Sequence, residues 1–203
     1  TSNQLSNITQ VGRSIGDCYG YIFEGVYNTQ EEINNHPHLS TDRPGDPIVK
    51  DVNNDAQITV DDRTVLGNYQ PDFSYGLNNT FNYKGFDLGI FIQGVYGNEI
   101  MNLGMRQTAS MTGRTNSLGL ARDRWRSPEE PGNGKVFKAS IDVRGVRRNP
   151  STFYMEDGSF LRIRNITLGY NFSPSLTEKV RIQNARIYIS SQNPFTFTKY
   201  SGY

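Results

Sequence analysis

Acidic and amide side chains recur at alternate positions of the segment Asp51–Asp62, where their spacing could bind a hard cation. Asp51, Asn53 and Asp55 occupy the first, third and fifth positions of an EF-hand loop pattern. Ca²⁺ takes about six to eight oxygen ligands in a flexible geometry, which alternate side chains of one turn can supply. The predicted metal site consists of Asp51, Asn53, Asp55, the backbone carbonyl of Gln57, a hydroxyl or bridging water at Thr59, and the closing carboxylate of Asp62.

Two residues depart from the EF-hand pattern. Ala56 stands where Gly is expected at the sharp turn, and Asp62 replaces the longer, bidentate Glu. An Asx-rich surface turn without an ion is therefore the alternative interpretation. Because no nucleophile lies beside the loop, a bound Ca²⁺ ion would be a structural cofactor that pins the loop.

The histidines and the cysteine offer weaker candidates. His36 and His38 are the only histidines, and they could share a metal ion. A His-X-His in a polar loop, with no thiol or acid close in sequence, is more often an ordinary loop. Cys18 has no His close in sequence, so we expect a buried thiol rather than a nucleophile.

Arginines cluster in the second half of the chain. The segment Arg122-Asp-Arg-Trp-Arg126 could stack on a ligand or bind an anion, and it could equally be a loop held by its own ion pairs. Arg144, Arg147 and Arg148 add positive charge to the same region. The sequence has neither a Gly-rich phosphate loop between a strand and a helix nor a Gly-x-Ser-x-Gly motif, so we expect no enzyme.

Composition points to a chain with lipid on one side and water on the other. Of the 203 residues, 35% are hydrophobic, below the usual 45–50% or so, yet 12% are aromatic and the mean hydropathy is −0.62. A β-barrel strand gives only half its residues to the apolar face, and aromatic residues concentrate at the membrane interfaces. The net charge of +1 gives no reason to expect nucleic acid.

Targeting segments are not evident. No run approaches 18 apolar residues, which excludes a transmembrane helix. Thr1–Gln10 is polar and uncharged, unlike a signal peptide, so an exported protein would be represented here by a mature or internal segment.

The clearest structural pattern is the alternation over Phe73–Tyr83, whose odd positions are mostly aromatic or aliphatic and whose even positions carry no apolar side chain. Eleven residues are enough for a tilted transmembrane strand, which needs about 9–11. Lys84-Gly85 follows as a two-residue hairpin turn, and a second strand begins at Phe86. Because turns are short at the periplasmic end of a barrel, we expect this hairpin there.

Two further strands are predicted over Ser159–Phe172 and Ala185–Phe197. The apolar pattern of the first changes phase near Arg162 and Arg164, so we place these arginines above the membrane or after a β-bulge. Pro194 should mark the point where pairing ends or becomes edge-like.

The remaining segments read as loops. Thr1–Gly67 is expected to be loops with a short helix over Gln30–Asn35, and Gly97–Gly158 a long extracellular loop. Ser173-Pro174 should begin one helical turn. The predicted fold class is all-β, an antiparallel transmembrane β-barrel segment with long extracellular loops and an incomplete barrel. Residues 1–70 form the loop region with the EF-hand-like loop, and residues 71–203 form strands with a long loop at 97–158.

Several segments together resemble the SusC/RagA family of TonB-dependent outer-membrane transporters from Bacteroidetes. The segments that carry the resemblance are Tyr19-Gly-Tyr-Ile-Phe-Glu-Gly-Val-Tyr27, Gln30-Glu-Glu-Ile33, Gly45-Asp-Pro47, Lys50-Asp-Val-Asn-Asn-Asp55, Asp61-Asp-Arg-Thr-Val-Leu-Gly67, Pro71-Asp-Phe-Ser-Tyr-Gly76, Tyr83-Lys-Gly-Phe-Asp-Leu88, Gln93-Gly-Val95, Glu156–Tyr170 and Gln192–Tyr203. Their order and spacing match the C-terminal part of such a barrel.

The resemblance implies a location in the bacterial outer membrane and a barrel of about 22 strands with an N-terminal plug. It also implies nutrient uptake, as import of glycans or peptides driven by the TonB complex through parts absent from this chain. A SusD-like surface lipoprotein and the lipid bilayer are the implied partners. In the family, the region around Asp51–Asp62 is extracellular, and Ala56 departs from the usual Gly there.

A secreted, soluble β-sandwich that binds carbohydrate and holds a structural calcium is the alternative. The two hypotheses differ in what covers the apolar face of Phe73–Tyr83, which is lipid for the transporter and a protein core for the sandwich. Substrate contacts by Trp125 or Tyr154 are conceivable in either case, although their spacing identifies no ligand.

Overall fold

The computed structural model describes residues 6–113, 115–141 and 145–202. The chain divides into two compact units. The sheet unit comprises Gln70–Asn98 and Asp157–Ser201, and the loop unit comprises the described residues of Thr1–Tyr69 and Glu99–Glu156. None of the described helices is long and apolar enough to cross a membrane.

Strands are the main regular secondary structure of the described residues. They are β1 (Asn7–Ile8), β2 (Asp17–Gly20), β3 (Phe23–Val26), β4 (Pro47–Val49), β5 (Thr64–Gly67), β6 (Phe73–Tyr83), β7 (Phe86–Tyr96), β8 (Glu99–Met101), β9 (Met155–Asp157), β10 (Phe160–Asn171) and β11 (Arg186–Thr198). The helices are α1 (Gln30–Asn34), α2 (Leu103–Thr108) and α3 (Pro174–Thr177). Short 3₁₀ turns cover Val60–Asp62, Gly119–Asp123, Thr152–Tyr154 and Glu178–Val180.

The sheet unit is one antiparallel sheet with the strand order β11-β10-β7-β6. Its strands are 11 to 13 residues long, and β6 and β7 are joined by the predicted turn. Both turn residues have positive φ, 49° at Lys84 and 88° at Gly85, as a two-residue hairpin requires. The predicted all-β, antiparallel fold is confirmed, and four strands leave the barrel open in this chain.

A β-bulge accounts for the change of phase in β10. The register shifts between Ile163 and Asn165, so Arg164 is the extra residue. Arg162 precedes the bulge, rather than following it, and its Nε donates to Thr196 Oγ1 at 3.0 Å on the polar face. The bulge thus returns the apolar side chains on both sides of it to one face.

Pro194 does not end the pairing of β11. The pairing with β10 skips two positions, Asn193 and Pro194, and resumes at Phe195, and Asn193 has a φ of 49°. Proline lacks the backbone N–H for a ladder bond, and an edge strand tolerates this loss at a bulge. Pairing is thus interrupted at Pro194 but does not end there.

The loop unit contains more regular structure than the sequence indicated. β1, β2 and β5 form a three-stranded sheet, while β3 pairs with β4 and β8 with β9. The predicted helix near Gln30 is present as α1, where Thr29 accepts a hydrogen bond from the Glu32 amide at 3.2 Å. Ser173 precedes the predicted helical turn of α3, with Pro174 at its first position.

Two apolar clusters form the interior of the loop unit. The larger one is built from Cys18, Val26, Met101, Ala109, Met111, Trp125, Val136, Phe137 and Tyr154. The smaller one contains Tyr21, Val49, Ile58 and Val146. The segment predicted as a long loop at 97–158 therefore supplies most of a packed core.

Candidate functional site

One face of the sheet unit is mostly apolar, with Asn79 and Ser191 as polar residues within it, and we call it the apolar face. On β6 and β7, Leu77 lies opposite Ile92 and Phe81 opposite Leu88. The same rows continue through Ile163 and Leu168 of β10. The full set is Phe73, Tyr75, Leu77, Phe81, Tyr83, Phe86, Leu88, Ile90, Ile92, Tyr96, Leu161, Ile163, Ile166, Leu168, Tyr170, Ile187, Ile189, Phe195 and Phe197.

No second layer covers this surface within the described residues. Phe81 is 58% exposed, Leu77 54% and Ile189 73%. Among the described residues of the sheet unit, no hydrophobic side chain is buried. An apolar surface of this extent, left bare across four strands, is typical of contact with lipid rather than water.

Aromatic rings mark both ends of the apolar face. At one end, Phe73 stacks on Tyr96 with ring centroids 5.4 Å apart. At the end with the Lys84-Gly85 turn, Phe86 lies 4.7 Å from Tyr170, whose ring also meets that of Phe172. Leu and Ile are the most frequent residues in the rows between them, which also contain Phe81, Phe195, Asn79 and Ser191. This distribution matches the two aromatic girdles of a transmembrane barrel, which flank an apolar band.

The opposite face of the sheet is mostly polar, although Phe91, Val95, Phe160 and Tyr188 also lie on it. Arg186 of β11 forms an ion pair with Asp87 of β7, two strands away, and Asn171 donates to the same carboxylate at 3.0 Å. Gly169 of β10 lies between them, and a Cβ atom there would approach both Arg186 Nη2 and Asp87 Oδ1 to 2.5 Å. The glycine thus leaves the space through which the ion pair crosses the middle strand.

The predicted calcium loop is closed by hydrogen bonds to its own backbone. The two carboxylate oxygens of Asp51 accept from the amides of Asn54 and Ala56, at 2.7 and 2.8 Å. Asp55 accepts from the Gln57 amide at 2.9 Å and from the Asn53 side chain at 3.0 Å. Asn54 and Ala56 both have positive φ, which lets the turn close around Asp51.

Asp62 anchors the end of this loop. It is fully buried, and its two oxygens accept from the amides of Val52 at 2.9 Å and Thr59 at 2.7 Å. The described residues contain no group of three or more Asp, Glu, His or Cys side chains placed to hold a metal ion. Backbone amides therefore account for the loop's conformation, and Ca²⁺ binding by Asp51, Asn53, Asp55, Gln57 and Asp62 stays a prediction.

The structure does not unite the other sequence candidates into a site. His38 Nδ1 lies 2.7 Å from the His36 carbonyl oxygen, a contact within the loop. Cys18 is a buried free thiol whose pKa is raised by burial, as expected of an unreactive cysteine. Trp125 is buried and donates to Asn28 Oδ1 at 2.9 Å, while Tyr154 is fully buried. Neither ring is available to a ligand.

Among the described residues, carbonyl groups rather than ion pairs hold the arginine segment. Arg124 donates to the Ala121 carbonyl at 2.9 Å, and Arg126 to the Arg122 carbonyl at 2.7 Å. Arg144 lies outside the described residues. Arg147 is buried, bonds Asp46 Oδ1 at 2.7 Å, and donates to the Lys138 carbonyl at 2.6 Å. Arg124, Arg126 and Arg147 thus stabilise the loop unit.

Sequence reasoning missed the partly buried polar network around Asp46. This carboxylate pairs with Arg147 and, at 3.3 Å, with Lys138, which also donates to the Pro44 carbonyl. Tyr154 completes it by donating to the Arg147 carbonyl at 2.6 Å. The partners are separated by as many as 101 residues, so no local spacing could have revealed the network.

The sequence matches TonB-dependent receptors over nearly its whole length. It is 34% identical over 198 residues, 97% of the chain, to TonB-dependent receptor P3 of Formosa agariphila, covering 19% of that protein. It is 24% identical over 90% of the chain to TonB-dependent receptor SusC of Bacteroides thetaiotaomicron, covering 16%. The chain thus spans less than a fifth of the length of these curated relatives. No protein-family profile matches the chain.

The fold also matches solved structures. One, described as the structure of the RagAB peptide transporter, superimposes with a TM-score of 0.72 at 20% identity, covering 98% of this chain and 20% of the other. At that identity the match shows a shared fold. Together with the receptor homologues, it confirms the resemblance predicted from the motifs.

Two further predictions agree with these relatives. TonB-dependent receptors are outer-membrane proteins, and the chain is accordingly assigned to the outer membrane. The relatives are receptors and transporters rather than enzymes, in agreement with the prediction of no catalytic function.

Proposed function

We propose that this chain, a homologue of part of the TonB-dependent receptors, forms a section of the barrel wall of an outer-membrane nutrient importer. The observation that carries the proposal is the apolar face, bare over four strands of 11 to 13 residues. Strands of this length span the apolar layer of a bilayer when tilted. The opposite polar face, with its Asp87–Arg186 pair, then faces the water-filled or plugged interior.

The orientation follows from the connections between strands. β6 and β7 are joined by two residues, whereas β7 and β10 are separated by residues 97–159 at the other end of the sheet. Because outer-membrane barrels have short periplasmic turns and long extracellular loops, the Lys84-Gly85 turn is periplasmic and the loop unit is extracellular. In this arrangement the chain's contribution to transport is passive, as wall and outer vestibule.

The finer parts of the function rest on the named relatives. A SusC-type receptor would work with a SusD-like surface lipoprotein, for which the extracellular loop unit would supply contacts, and would draw energy from the TonB complex. The imported nutrient would be a glycan or a peptide, and the RagAB structure is described as a peptide transporter. Buried Trp125 and Tyr154 stabilise the vestibule in this proposal rather than touching the nutrient.

The alternative, a secreted β-sandwich with a bound glycan, needs a second protein layer over Phe73–Tyr83. In the described residues, the side chains of Phe73, Phe81 and Tyr83 are each more than half exposed. A soluble protein with this surface would aggregate, so the exposure of these rings supports the barrel instead.

Fractionation of cells that express the full-length receptor tests the proposal. We expect the protein in the outer-membrane fraction, with a gel mobility that changes on boiling, as for a stable barrel. Growth of a deletion strain on a glycan or on peptides as sole source then distinguishes the two nutrient classes. A soluble protein with unchanged mobility would contradict the barrel, and normal growth on both sources would contradict an import role.

A further inference from the structure

Charge is unevenly distributed over the polar face, the side of the sheet unit opposite the apolar face. Asp87 is the only acidic residue in β6, β7, β10 and β11, and it forms an ion pair with Arg186 near the Lys84-Gly85 turn. The other two cations of these strands are Arg162 and Arg164. The part of the sheet around the bulge in β10 therefore carries positive charge, and these strands supply no second carboxylate to balance it.

Two cross-strand rows of the polar face flank the bulge, and each contains amide side chains. In the first row, Arg162 is paired with Gln93 of β7 and with Thr196 of β11. In the second row, Asn165 is paired with Gln192 of β11. The side-chain NH₂ group of Asn or Gln donates hydrogen bonds without carrying a charge. The positive charge at the bulge is therefore surrounded by neutral hydrogen-bond donors.

Arg164 has no partner among the described residues. It is the extra residue of the bulge, its side chain is exposed, and it forms no hydrogen bond, ion pair or ring contact with any residue that the structure describes. Arg162, by contrast, is bonded to Thr196. Because a cation on the lipid side of a barrel is destabilising, we place the Arg164 guanidinium on the polar face, between the two rows.

We propose that Arg164 and the amides beside it bind a carboxylate group of the imported nutrient. The inference deepens the proposed function and rests on it, since the polar face must line the interior of the barrel. A guanidinium group is a planar fork that donates two parallel hydrogen bonds to a carboxylate. Gln93 and Gln192 supply further donors from the neighbouring strands.

The charge of the polar face favours an acidic nutrient over a neutral one. A cleft that is lined by charge of one sign and has low-dielectric walls raises the local concentration of ions of the opposite sign. Both nutrient classes of the proposed function include carboxylates, as acidic side chains in peptides and as uronic acids in glycans. Arg164 would thus select the acidic members of whichever class the receptor imports.

The test uses the full-length receptor purified from outer membranes, with binding measured by titration calorimetry. The probes are two matched pairs: a short end-blocked peptide with one Glu and the same peptide with Gln, and a short oligosaccharide of galacturonic acid and its neutral galactose counterpart. We expect the wild type to bind the acidic member of one pair more tightly, and that pair identifies the nutrient class. Arg164→Gln should weaken this binding about tenfold, the effect of losing a hydrogen bond to a charged group, and leave binding of the neutral member unchanged.

Two further variants separate the guanidinium from charge in general. Arg164→Lys keeps the charge but loses the planar fork, so it should weaken binding less than Arg164→Gln does. Lys84→Asn removes one positive charge at the hairpin turn, away from the bulge, and Asn tolerates the positive φ of that position. This control should leave binding unchanged.

Three binding results would overturn the inference. Equal affinity of the wild type for both members of each pair would exclude recognition of a carboxylate. Equal losses in Arg164→Gln and Lys84→Asn would indicate bulk attraction to positive charge. Unchanged affinity in Arg164→Gln, together with a lower thermal stability, would show that Arg164 pairs with another part of the receptor instead. A wild-type receptor absent from the outer membrane would contradict the proposed function itself, and this location is measured before any ligand is added, so the two failures are distinguishable.

Discussion

The sheet unit and the loop unit place their aromatic residues in opposite environments. Phe81 of the sheet is 58% exposed, whereas Phe137 of the loop unit is 1% exposed and lies 4.8 Å from Phe153. The sheet unit buries no hydrophobic side chain among its described residues, while the loop unit has two apolar clusters. The two units therefore differ in whether their hydrophobic side chains are exposed or buried.

This contrast indicates that the two units are surrounded by different media, water for the loop unit and lipid for one face of the sheet unit. The interior of the loop unit matches a protein folded in water, with apolar clusters and a partly buried ion network at Asp46. The sheet is stabilised by its backbone ladders and by whatever covers its apolar face, which in a membrane is lipid. A substitution should therefore have opposite consequences in the two units.

The largest effect should come from emptying the core of the loop unit. Phe137→Ala removes a ring that contacts Phe153 and lies 5.1 Å from the Arg147 guanidinium carbon, at a cost of about 3–5 kcal/mol. Limited proteolysis of intact cells should then cleave the loop unit, while the receptor stays in the outer membrane. Phe81→Ala is the control, and it should leave the loop unit resistant. If protease cleaved the two variants equally, the proposed difference between the two units would be contradicted.

A charge in the middle of the apolar face should have the next largest effect. Leu77→Arg places a cation among Ile92 and its neighbours, at a cost of about 2–4 kcal/mol near the bilayer midplane. The outer-membrane yield of the full-length receptor should fall several-fold. Asn78→Arg, one residue away on the polar face, should insert normally. If the two variants inserted equally well, lipid would not cover the apolar face.

The same contrast explains how much the sequence could predict. β6 could be predicted because its apolar and polar side chains alternate with a period of two over 11 residues. A bulge was one of two explanations predicted for the phase change in β10, and the structure places it at Arg164, after Arg162. The hairpin turn followed from Gly85.

The loop unit resisted prediction because its core comes from distant, aperiodic positions. Cys18, Phe137 and Tyr154 meet in one cluster although no local pattern relates them. The network of Asp46 with Lys138 and Arg147 is equally non-local. At Asp51–Asp62 the sequence located an ordered polar loop, but residue types alone do not show that Asp62 is buried beneath two backbone amides.

A smaller effect should follow from changing this buried aspartate. Asp62→Asn replaces one of two accepting oxygens with an amide group, so the amide of Val52 or Thr59 loses its partner, at about 1–3 kcal/mol. Hydrogen exchange of the Asp51–Asp62 loop should quicken. Asp61→Asn, which changes an exposed neighbour, should leave exchange unaltered.

The same measurement tests the calcium prediction. Because backbone amides close the loop, we expect wild-type protection to persist in EDTA. Protection that appears only with added Ca²⁺, and that Asp51→Asn removes, would instead support an ion held by Asp51, Asn53, Asp55, Gln57 and Asp62.

The smallest effect should be the pH dependence of Asp42 in the loop unit. Asp42 is 7% exposed, and burial is the largest cause that raises the pKa of its carboxyl. One oxygen accepts from the Leu39 amide at 2.9 Å, which favours the charged form without cancelling the burial cost. Because the folded pKa is raised, the stability from this group is fully present below its ordinary pKa of about 3.9 and is lost as pH rises through the raised value.

Asp42→Asn should therefore slow the local opening of the turn at Leu39–Asp42 at neutral pH. Asparagine keeps an oxygen for the Leu39 amide and has no charge to bury. Hydrogen exchange of this turn, corrected for intrinsic rates, should depend less on pH between 4 and 7 (roughly the window above the ordinary carboxyl pKa) than in the wild type. Faster opening of the variant at neutral pH would mean that the Asp42 charge stabilises the turn. The expected cost of burying a charge in the loop unit would then be contradicted.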